Sequence, residues 1–416
     1  MSLAVVAIWS VCAAAIGGVV ARPFRWPEAV WAITGALVLL LAGLIAPGAA
    51  WTAVGRGLDV YLFLIGMMLL SETAREHGLF DWIAATAAIH ARGSSPRLFL
   101  LIYAAGIVTT TFLSNDATAV VLTPAVYAAA RKARAEPMPL LFACALIANA
   151  ASFMLPISNP ANIVLYGGTM PPLGEWLGSF ALPSVASIVV TFLALRWIER
   201  RQIAGTCATD IARMPLSAGG RAALAGIVGT AGLLLIVSAF DIALGLPTAL
   251  AGIATTLGVC ALVRGSPLVP VRSVSWSVLP LVAGLFVLVE ALTLTGVTGQ
   301  IAALLRTVSA DPARGAAIAG TVLAFGSNAM NNLPAGLLAS MAVAQAQPPR
   351  IVTDALLIGV DLGPNLSITG SLATILWLQA IRREGEDVGF RQFLKVGAVT
   401  MVPALIAALG TRLMLG

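Results

Sequence analysis

Long apolar stretches recur along the whole chain and are separated by short polar segments. A helix needs roughly 20 predominantly apolar residues to cross the hydrocarbon core of a bilayer, and about ten stretches approach or exceed that length. They lie at about residues 3–20, 28–46, 58–75, 138–168, 176–196, 222–240, 245–263, 276–298, 351–381 and 393–413. The pattern therefore predicts an all-α polytopic membrane protein with about ten transmembrane helices.

Two further apolar stretches, at about 98–130 and 314–346, are each interrupted by polar residues in the middle. Each predicts two half-helices that meet at a tip and return to the side they came from, which makes a re-entrant hairpin. The spans at about 138–168 and 351–381 contain internal proline and glycine, which break the helical hydrogen-bond ladder. We expect these two spans to be interrupted helices. The segment 76–97 is too polar to span and suits a helix at the membrane interface.

The 24 Lys and Arg residues predict the orientation in the membrane, because cytoplasmic loops carry an excess of them. With the N-terminus outside and both hairpins re-entrant, nineteen face the cytoplasm and five face outwards. The five are Arg56, Arg306, Arg314, Arg350 and Arg412. We therefore expect a multi-pass protein of the inner (plasma) membrane with both termini outside. The first hairpin opens to the cytoplasm and the second to the outside.

The two halves of the chain resemble each other at a nearly constant offset, which indicates an internal repeat. The matched segments are 62–79 with 280–297, 112–124 with 325–334, and 148–166 with 359–377. We expect an N-terminal repeat at 1–198, a cytoplasmic linker at 199–221 and a C-terminal repeat at 222–416. Five spans precede the linker, and an odd number inverts the second repeat. Inverted repeats are typical of secondary transporters, whose site lies near the bilayer midplane.

The composition and the absence of known motifs argue against several classes of function. Hydrophobic residues make up 59% of the chain and charged residues 10%, against about 25% charged in soluble domains. No basic cluster with interleaved aromatic residues indicates nucleic-acid binding. The four cysteines are scattered, which argues against a disulfide framework or a thiolate metal site. No phosphate-binding loop or catalytic constellation is visible, so we expect neither ATP hydrolysis by this chain, nor a cofactor, nor an enzyme.

Four polar clusters lie inside apolar surroundings, at the two hairpin tips and in the two interrupted spans. Non-helical backbone at membrane depth is tolerated only where it is buried in protein or lines a wet cavity. Asn and Ser side chains supply both donors and acceptors there. The candidate substrate-binding residues are Ser114, Asn115, Thr118, Ser158, Asn159, Asn162, Ser327, Asn328, Asn331, Asn332, Asn365, Thr369 and Ser371. The alternative is that these groups only bridge helices.

Asp116 and Asp361 are acids within the predicted membrane segments, where an ionisable group marks a functional pathway by default. They are our candidates for proton coupling, and of the two Asp361 is preferred. The alternative for each is a structural cap on an adjacent half-helix. Glu72 and Glu290 are aligned by the repeat but lie toward the ends of their spans, so capping or an interface contact is the favoured interpretation.

At these positions the chain resembles the arsenite/antimonite efflux permeases (ArsB-type) of the ion transporter superfamily. The resemblance rests on SNDATAVVLTP (114–124), ISNPANIV (157–164), MNNLP (330–334) and DLGPNLSITGSLATILW (361–377). The last stretch is the most specific. Some family members carry an acid where this chain has Asn149 and a lysine where it has Asn365. Ser367 also replaces part of a threonine-proline sequence that is familiar in the family. These departures concern the residue that would carry the proton.

The resemblance implies ten spanning helices with two hairpins, a transport domain that slides against a scaffold, and export of trivalent arsenic or antimony driven by the proton gradient. It also implies a cytoplasmic ATPase subunit as a candidate partner, since one assists some relatives. Trivalent arsenic in neutral water is mostly the uncharged trihydroxide, which suits hydrogen-bonding Asn and Ser. The alternatives are a sodium/proton antiporter of the same architecture and a passive channel for neutral hydroxides.

Overall fold

A computed structural model describes residues 2–167, 170–210 and 215–416. The regular elements in these ranges are helices, and the only extended pairing among them is an isolated bridge between Ser94 and Thr206. The first half contains α1 (Leu3–Ala21), α2 (Glu28–Leu41), α3 (Pro47–Arg56), α4 (Leu58–Glu76), α5 (Leu79–His90), α6 (Ser95–Phe112), α7 (Asn115–Ala117), α8 (Thr123–Lys132), α9 (Pro137–Ala150), α10 (Pro160–Tyr166) and α11 (Leu173–Ile198). The second half contains α12 (Ala218–Ala239), α13 (Gly245–Val263), α14 (Leu268–Ser273), α15 (Val278–Leu294), α16 (Val297–Val308), α17 (Pro312–Met330), α18 (Asn332–Ala346), α19 (Arg350–Leu362), α20 (Leu372–Arg383) and α21 (Phe390–Met414).

The predicted all-α polytopic membrane fold is confirmed. Among the described residues six helices are long and apolar enough to cross a membrane, or up to eight if each of two bent pairs is one span. The bent pairs are α3–α4, at 46°, and α15–α16, at 76°. The predicted spans at 138–168 and 351–381 are built from two short helices each, so neither part reaches spanning length alone.

Both predicted hairpin segments contain two helical arms. In the first, α6 ends at Phe112 and the chain resumes as α7, which continues through a π-helical turn at Thr118–Leu122 into α8. In the second, α17 and α18 meet at Asn331, whose φ of 78° lies in the left-handed region. Side chains other than glycine rarely adopt positive φ, and here Asn331 alone separates the two helices.

The helices pack into two groups. In the first, α4 packs on α13 and α15 packs on α2, with α1 and α12 alongside. In the second, α6 packs on α9, α17 on α19, and α11 on α21. A Cβ atom on Gly66 of α4 would lie 2.1 Å from the carbonyl oxygen of Thr248 on α13. Such close contact between backbones is how membrane helices associate through small residues, and it requires glycine here.

Candidate functional site

The tip of the first hairpin is held together by its own side chains. Ser114 caps the following helix by accepting a hydrogen bond from the amide of Ala117 at 3.1 Å. The side-chain oxygen of Asn115 accepts from the amide of Asp116 at 2.9 Å. Thr118 exchanges a hydroxyl hydrogen bond of 2.8 Å with Thr110 on the descending arm. These contacts satisfy backbone groups that a broken helix would leave exposed at membrane depth.

The loop between α9 and α10 is organised by Asn162. Its amide nitrogen donates to the carbonyls of Ser152, Leu155 and Pro156 at 2.9–3.3 Å, so one side chain closes the non-helical backbone. The hydroxyl of Ser158 donates to the Thr111 carbonyl at 2.9 Å and ties this loop to the first hairpin. Pro160 begins α10 in the position where a missing N–H costs nothing.

The second hairpin and the loop between α19 and α20 form the corresponding pair. Asn328 donates to the Gly363 carbonyl at 3.0 Å and accepts from the Ser367 hydroxyl at 2.7 Å. Thr369 donates to the backbone carbonyl of Asn328 at 3.2 Å. The hydroxyl of Ser327 donates to a carbonyl one turn earlier on its own helix. The tip and the loop are therefore one hydrogen-bonded unit.

Asn159 joins the two interrupted helices at the centre of the molecule. Its side-chain oxygen caps α10 through the amide of Ala161 at 3.0 Å, and its nitrogen donates to Oδ1 of Asp361 at 2.8 Å. Asp361 is fully buried, and its Oδ2 accepts no hydrogen bond from the described residues. A buried carboxylate with one oxygen unsatisfied is costly, and Asp361 stays a candidate for proton coupling.

Four half-helices begin around one small cavity. Their first residues line it in pairs, with Leu64 of α4 and Val278 of α15 as apolar walls: Asn115 and Asp116 of α7, Asn159 and Pro160 at α10, Asn332 and Leu333 of α18, and Leu372 and Ala373 of α20. Helix N-termini carry a partial positive charge. Cap side chains already bond the amides of Asp116, Ala161 and Leu333. The buried Oδ1 of Asn332 has no partner among the described residues. The cavity thus offers donors, an open acceptor and one carboxyl group, Asp116.

This cavity is reached from one side of the molecule. A small adjoining cavity contains Asp116, Ser114 and the methionines Met67 and Met68 of α4. It shares Glu72 with a vestibule of about 830 Å³ that opens on the side predicted to be cytoplasmic. A separate cavity of about 500 Å³ on the opposite side, lined by residues such as Arg56 and Asp241, shares no lining residue with these three.

The candidate residues therefore separate by position. Asn115, Asp116, Asn159 and Asn332 line the central cavity, and Ser114 lines the adjoining one. The remainder do not line either cavity and form hydrogen bonds within the protein: Thr118, Ser158, Asn162, Ser327, Asn328, Asn331, Asn365, Thr369 and Ser371. Asp361 reaches the cavity only through Asn159.

Asn149 and Asn365, two of the positions where the chain departs from the family pattern, contact each other. Asn149 donates to the side-chain oxygen of Asn365 at 3.0 Å, and Asn365 donates to the Leu146 carbonyl at 2.9 Å. The hydroxyl of Ser371, which caps α20, lies 3.4 Å from the oxygen of Asn149. A neutral amide pair therefore joins α9 to the loop before α20 in this chain.

The two aligned glutamates are both held in ion pairs. Glu72 lies 2.6 Å from Arg75, one turn along the same helix, and Glu290 lies 2.6 Å from Arg56 at the end of α3. The pair at Glu72 lines the large vestibule, whereas Arg56 lines the cavity on the opposite side. Sequence reasoning favoured capping or interface contacts for these acids. The Glu290–Arg56 pair joins α15 to α3, whereas the Glu72–Arg75 pair lies within α4.

Sequence reasoning overlooked one buried acid, Asp354. Asp354 of α19 is fully buried and accepts two hydrogen bonds from Arg412 of α21, at 2.7 and 2.9 Å. The hydroxyl of Tyr166 on α10 donates to its other oxygen. Arg350 lies 3.9 Å from Asp354 and also pairs with Glu175 of α11. The available signal was an acid inside one predicted span and a basic residue near the end of another.

Comparison with known proteins places the chain in a family. The family model described as "Citrate transporter" (CitMHS) matches residues 5–365. The chain belongs to this family. It is also similar to the arsenical pump membrane proteins of Escherichia coli (strain K12), at 28% identity over 92% of this chain and 93% of the relative, and of Yersinia enterocolitica, at 28% identity over 91% and 92%. The resemblance to arsenical permeases is thereby confirmed.

A solved structure supports the architecture. The chain aligns with the YdaH transporter of Alcanivorax borkumensis with a TM-score of 0.58 over 87% of both chains, at 15% identity. At that identity the likeness concerns the fold alone. The family, the relatives and the apolar helices show that the protein is a multi-pass membrane transporter of ions or anions.

Proposed function

We propose that the protein exports arsenite or antimonite from the cytoplasm in exchange for protons. The central cavity carries this proposal, because it presents asparagine amides, half-helix amides and one carboxyl group to a small solute. A trihydroxide of trivalent arsenic both donates and accepts hydrogen bonds, and the open acceptor of Asn332 complements such a donor. The names of the curated relatives, which are arsenical pumps, point to the same solute class.

The description of the family model is "Citrate transporter", so citrate is the main competing substrate. One feature of the described cavity favours the neutral hydroxide. No Lys or Arg lines it, whereas a carboxyl group does, so a polycarboxylate would meet a like charge without a countercharge.

We infer an elevator-type motion, within two inverted repeats, of the hairpins and interrupted helices against a scaffold. The supporting observation is the division into two packing groups, one of which holds the hairpins and interrupted helices while the other supplies only Leu64 and Val278 to the cavity. Matched positions in the two halves pack alike: a Cβ on Gly284 of α15 would lie 2.8 Å from the backbone of Ala32 on α2, as Gly66 of α4 approaches α13. The central cavity, the adjoining cavity and the vestibule lie toward one side of the molecule, as expected for one state of alternating access.

Asp116 and Asp361 remain our coupling candidates, with different tasks. Asp116 lines the cavity and can exchange a proton with the vestibule or meet the solute directly. Asp361 acts through Asn159. The side chain of Asn159 lines the cavity and donates a hydrogen bond to Asp361. A cytoplasmic ATPase subunit, known from some relatives, would bind the cytoplasmic face and is a further proposed partner.

Transport in inside-out membrane vesicles tests the proposal. Vesicles with an acidic lumen should accumulate arsenite above its external concentration, and a protonophore should abolish that accumulation. Replacing sodium with potassium, or adding excess citrate, should change nothing. Accumulation that follows a sodium gradient would support the antiporter alternative, and equilibration without accumulation would indicate a channel. Inhibition by citrate together with citrate uptake would overturn the substrate assignment.

A further inference from the structure

A basic groove lies apart from the transport cavities, between the last turn of α11 and the first turns of α21. It encloses about 400 Å³ and shares no lining residue with the central cavity or with either vestibule. Its lining includes Trp197, Arg200, Arg201, Lys395, Val396 and Val399. Three cations and an apolar floor thus meet in one groove.

The cations of this groove have no protein counterion. Within the residues that the structure describes, Arg200, Arg201 and Lys395 form no ion pair, and no carboxyl group lines the groove. The guanidinium of Arg200 lies over the ring of Trp197, 5.1 Å from its centroid. Glu199 precedes these cations in the chain but is buried. All three cations are exposed, so an anion from outside the protein can reach them.

An apolar surface continues from the groove along the membrane. On α11 the exposed side chains recur every fourth residue and so form one strip: Val185, Val189, Leu193 and Trp197. Val399 and Ile406 expose a second strip on α21, beyond Lys395, and α11 and α21 pack together. The positive charges therefore stand at the end of two parallel apolar strips, at the face predicted to be cytoplasmic.

We propose that this groove binds an anionic phospholipid of the inner leaflet. Its phosphate would contact Arg200, Arg201 and Lys395, and its acyl chains would lie along the α11 and α21 strips. Basic pockets between transmembrane helices on the cytoplasmic side have this chemistry, and Trp is suited to the interface. A soluble phosphate would use the cations but not the strips. The site depends on the membrane fold and not on which solute is transported.

The test measures lipid retention by the full-length purified protein. The probes are cardiolipin, phosphatidylglycerol and phosphatidylcholine, titrated in detergent and read by native mass spectrometry and thermal unfolding. The wild type should retain the two anionic lipids and gain thermal stability from them, but not from phosphatidylcholine. The double variant Arg201→Gln/Lys395→Gln should bind anionic lipid roughly tenfold more weakly or worse, since each cation near the surface contributes substantially.

Two control variants make the result decisive. Arg131→Gln/Lys132→Gln removes the same charge from the exposed end of α8, and it should leave lipid retention unchanged. Arg201→Lys/Lys395→Arg keeps the charge and should retain the lipid, which separates binding from misfolding. Equal loss in the α8 variant, unchanged retention in the groove variant, or displacement of the lipid by millimolar inorganic phosphate would each overturn the proposal.

Discussion

At the scale of single residues, the two candidate coupling acids occupy unlike positions. Asp116 stands at a helix start in the wall of the central cavity, while Asp361 is fully buried behind Asn159. A coupling carboxyl group must release its proton on one side and regain it on the other. Asp116 also lines the adjoining cavity, which shares residues with the vestibule, whereas Asp361 would need movement of Asn159 or of the helix ends around it.

Changing either acid to asparagine preserves its size and hydrogen bonding but removes its proton exchange. We expect Asp116→Asn or Asp361→Asn, or both, to abolish gradient-driven arsenite export while downhill exchange continues. The vesicle assay, run with and without a pH gradient, measures both. Asp387→Asn is the matched control, because Asp387 is exposed in the loop after α20 and pairs with Arg382 at 2.7 Å. If both site variants still concentrated arsenite, neither acid would carry the proton.

Asn332 and Asn162 should respond differently to replacement by alanine. Asn332 lines the cavity with an unsatisfied oxygen, so Asn332→Ala should raise the KM for arsenite roughly tenfold, as loss of one hydrogen bond of about 1.4 kcal/mol would. Asn162 holds three loop carbonyls, so Asn162→Ala should instead lower thermal stability and protein yield. Initial rates and unfolding curves of both variants check this. An Asn332→Ala protein with unchanged KM would remove Asn332 from the substrate site.

At the scale of elements, α10 and α19 are joined at two levels. Asn159 and Tyr166 are seven residues apart at α10, and they bind Asp361 and Asp354, which are seven residues apart on α19. Seven residues are about two helical turns, so each helix uses one face. Arg412 of α21 strengthens the contact at Asp354. The two hydrogen bonds together set the register of α10 against α19 that places Asn159 on Asp361.

Removing one partner of the buried Asp354–Arg412 pair should be strongly destabilising. Arg412→Met leaves the Asp354 charge buried without its partner, and we expect it to cost roughly 3–5 kcal/mol of unfolding free energy. The double variant Asp354→Leu/Arg412→Met removes both charges and should recover much of that loss. Thermal or denaturant unfolding in detergent measures the difference. If the single variant were as stable as the wild type, the pair would contribute nothing to the register of α10 and α19.

At the scale of the whole molecule, the cavities describe a conformation open to one side. The vestibule near Glu72 and Arg75 joins the site through shared residues, whereas the cavity at Arg56 stops at α10 and α18. The positive-inside pattern predicts that the open side is cytoplasmic. An exporter in this state would be ready to load its solute.

Cysteine labelling in whole cells tests that orientation. In a background where the four buried cysteines are replaced, Asp210→Cys should be protected from a membrane-impermeant maleimide, and Ile242→Cys should react. Asp210 lies in the predicted cytoplasmic linker, and Ile242 is exposed at the cavity on the opposite side. Permeabilised cells provide the control, since both positions should then react. Reaction at position 210 without reaction at 242 in intact cells would reverse the topology.

The sequence by itself determined the membrane class, the positions of the helices and the residue types of the site. Hydrophobic length is a local property, so α1, α11 and α21 could be recognised without tertiary information. Polar residues inside apolar stretches are expensive, which is why Asn115, Asn159 and Asn332 stood out before their contacts were known.

Only the tertiary structure decided which of these residues face the cavity and which support it. Asn159 and Asn162 stand three residues apart in one motif, yet one lines the cavity and the other closes a loop. Asp354 was overlooked because its partner Arg412 is 58 residues away, and only packing of α19 against α21 brings the charges together. Residue type follows from the cost of placing polar groups in a membrane, whereas side-chain role depends on which distant backbone or side chain arrives beside it.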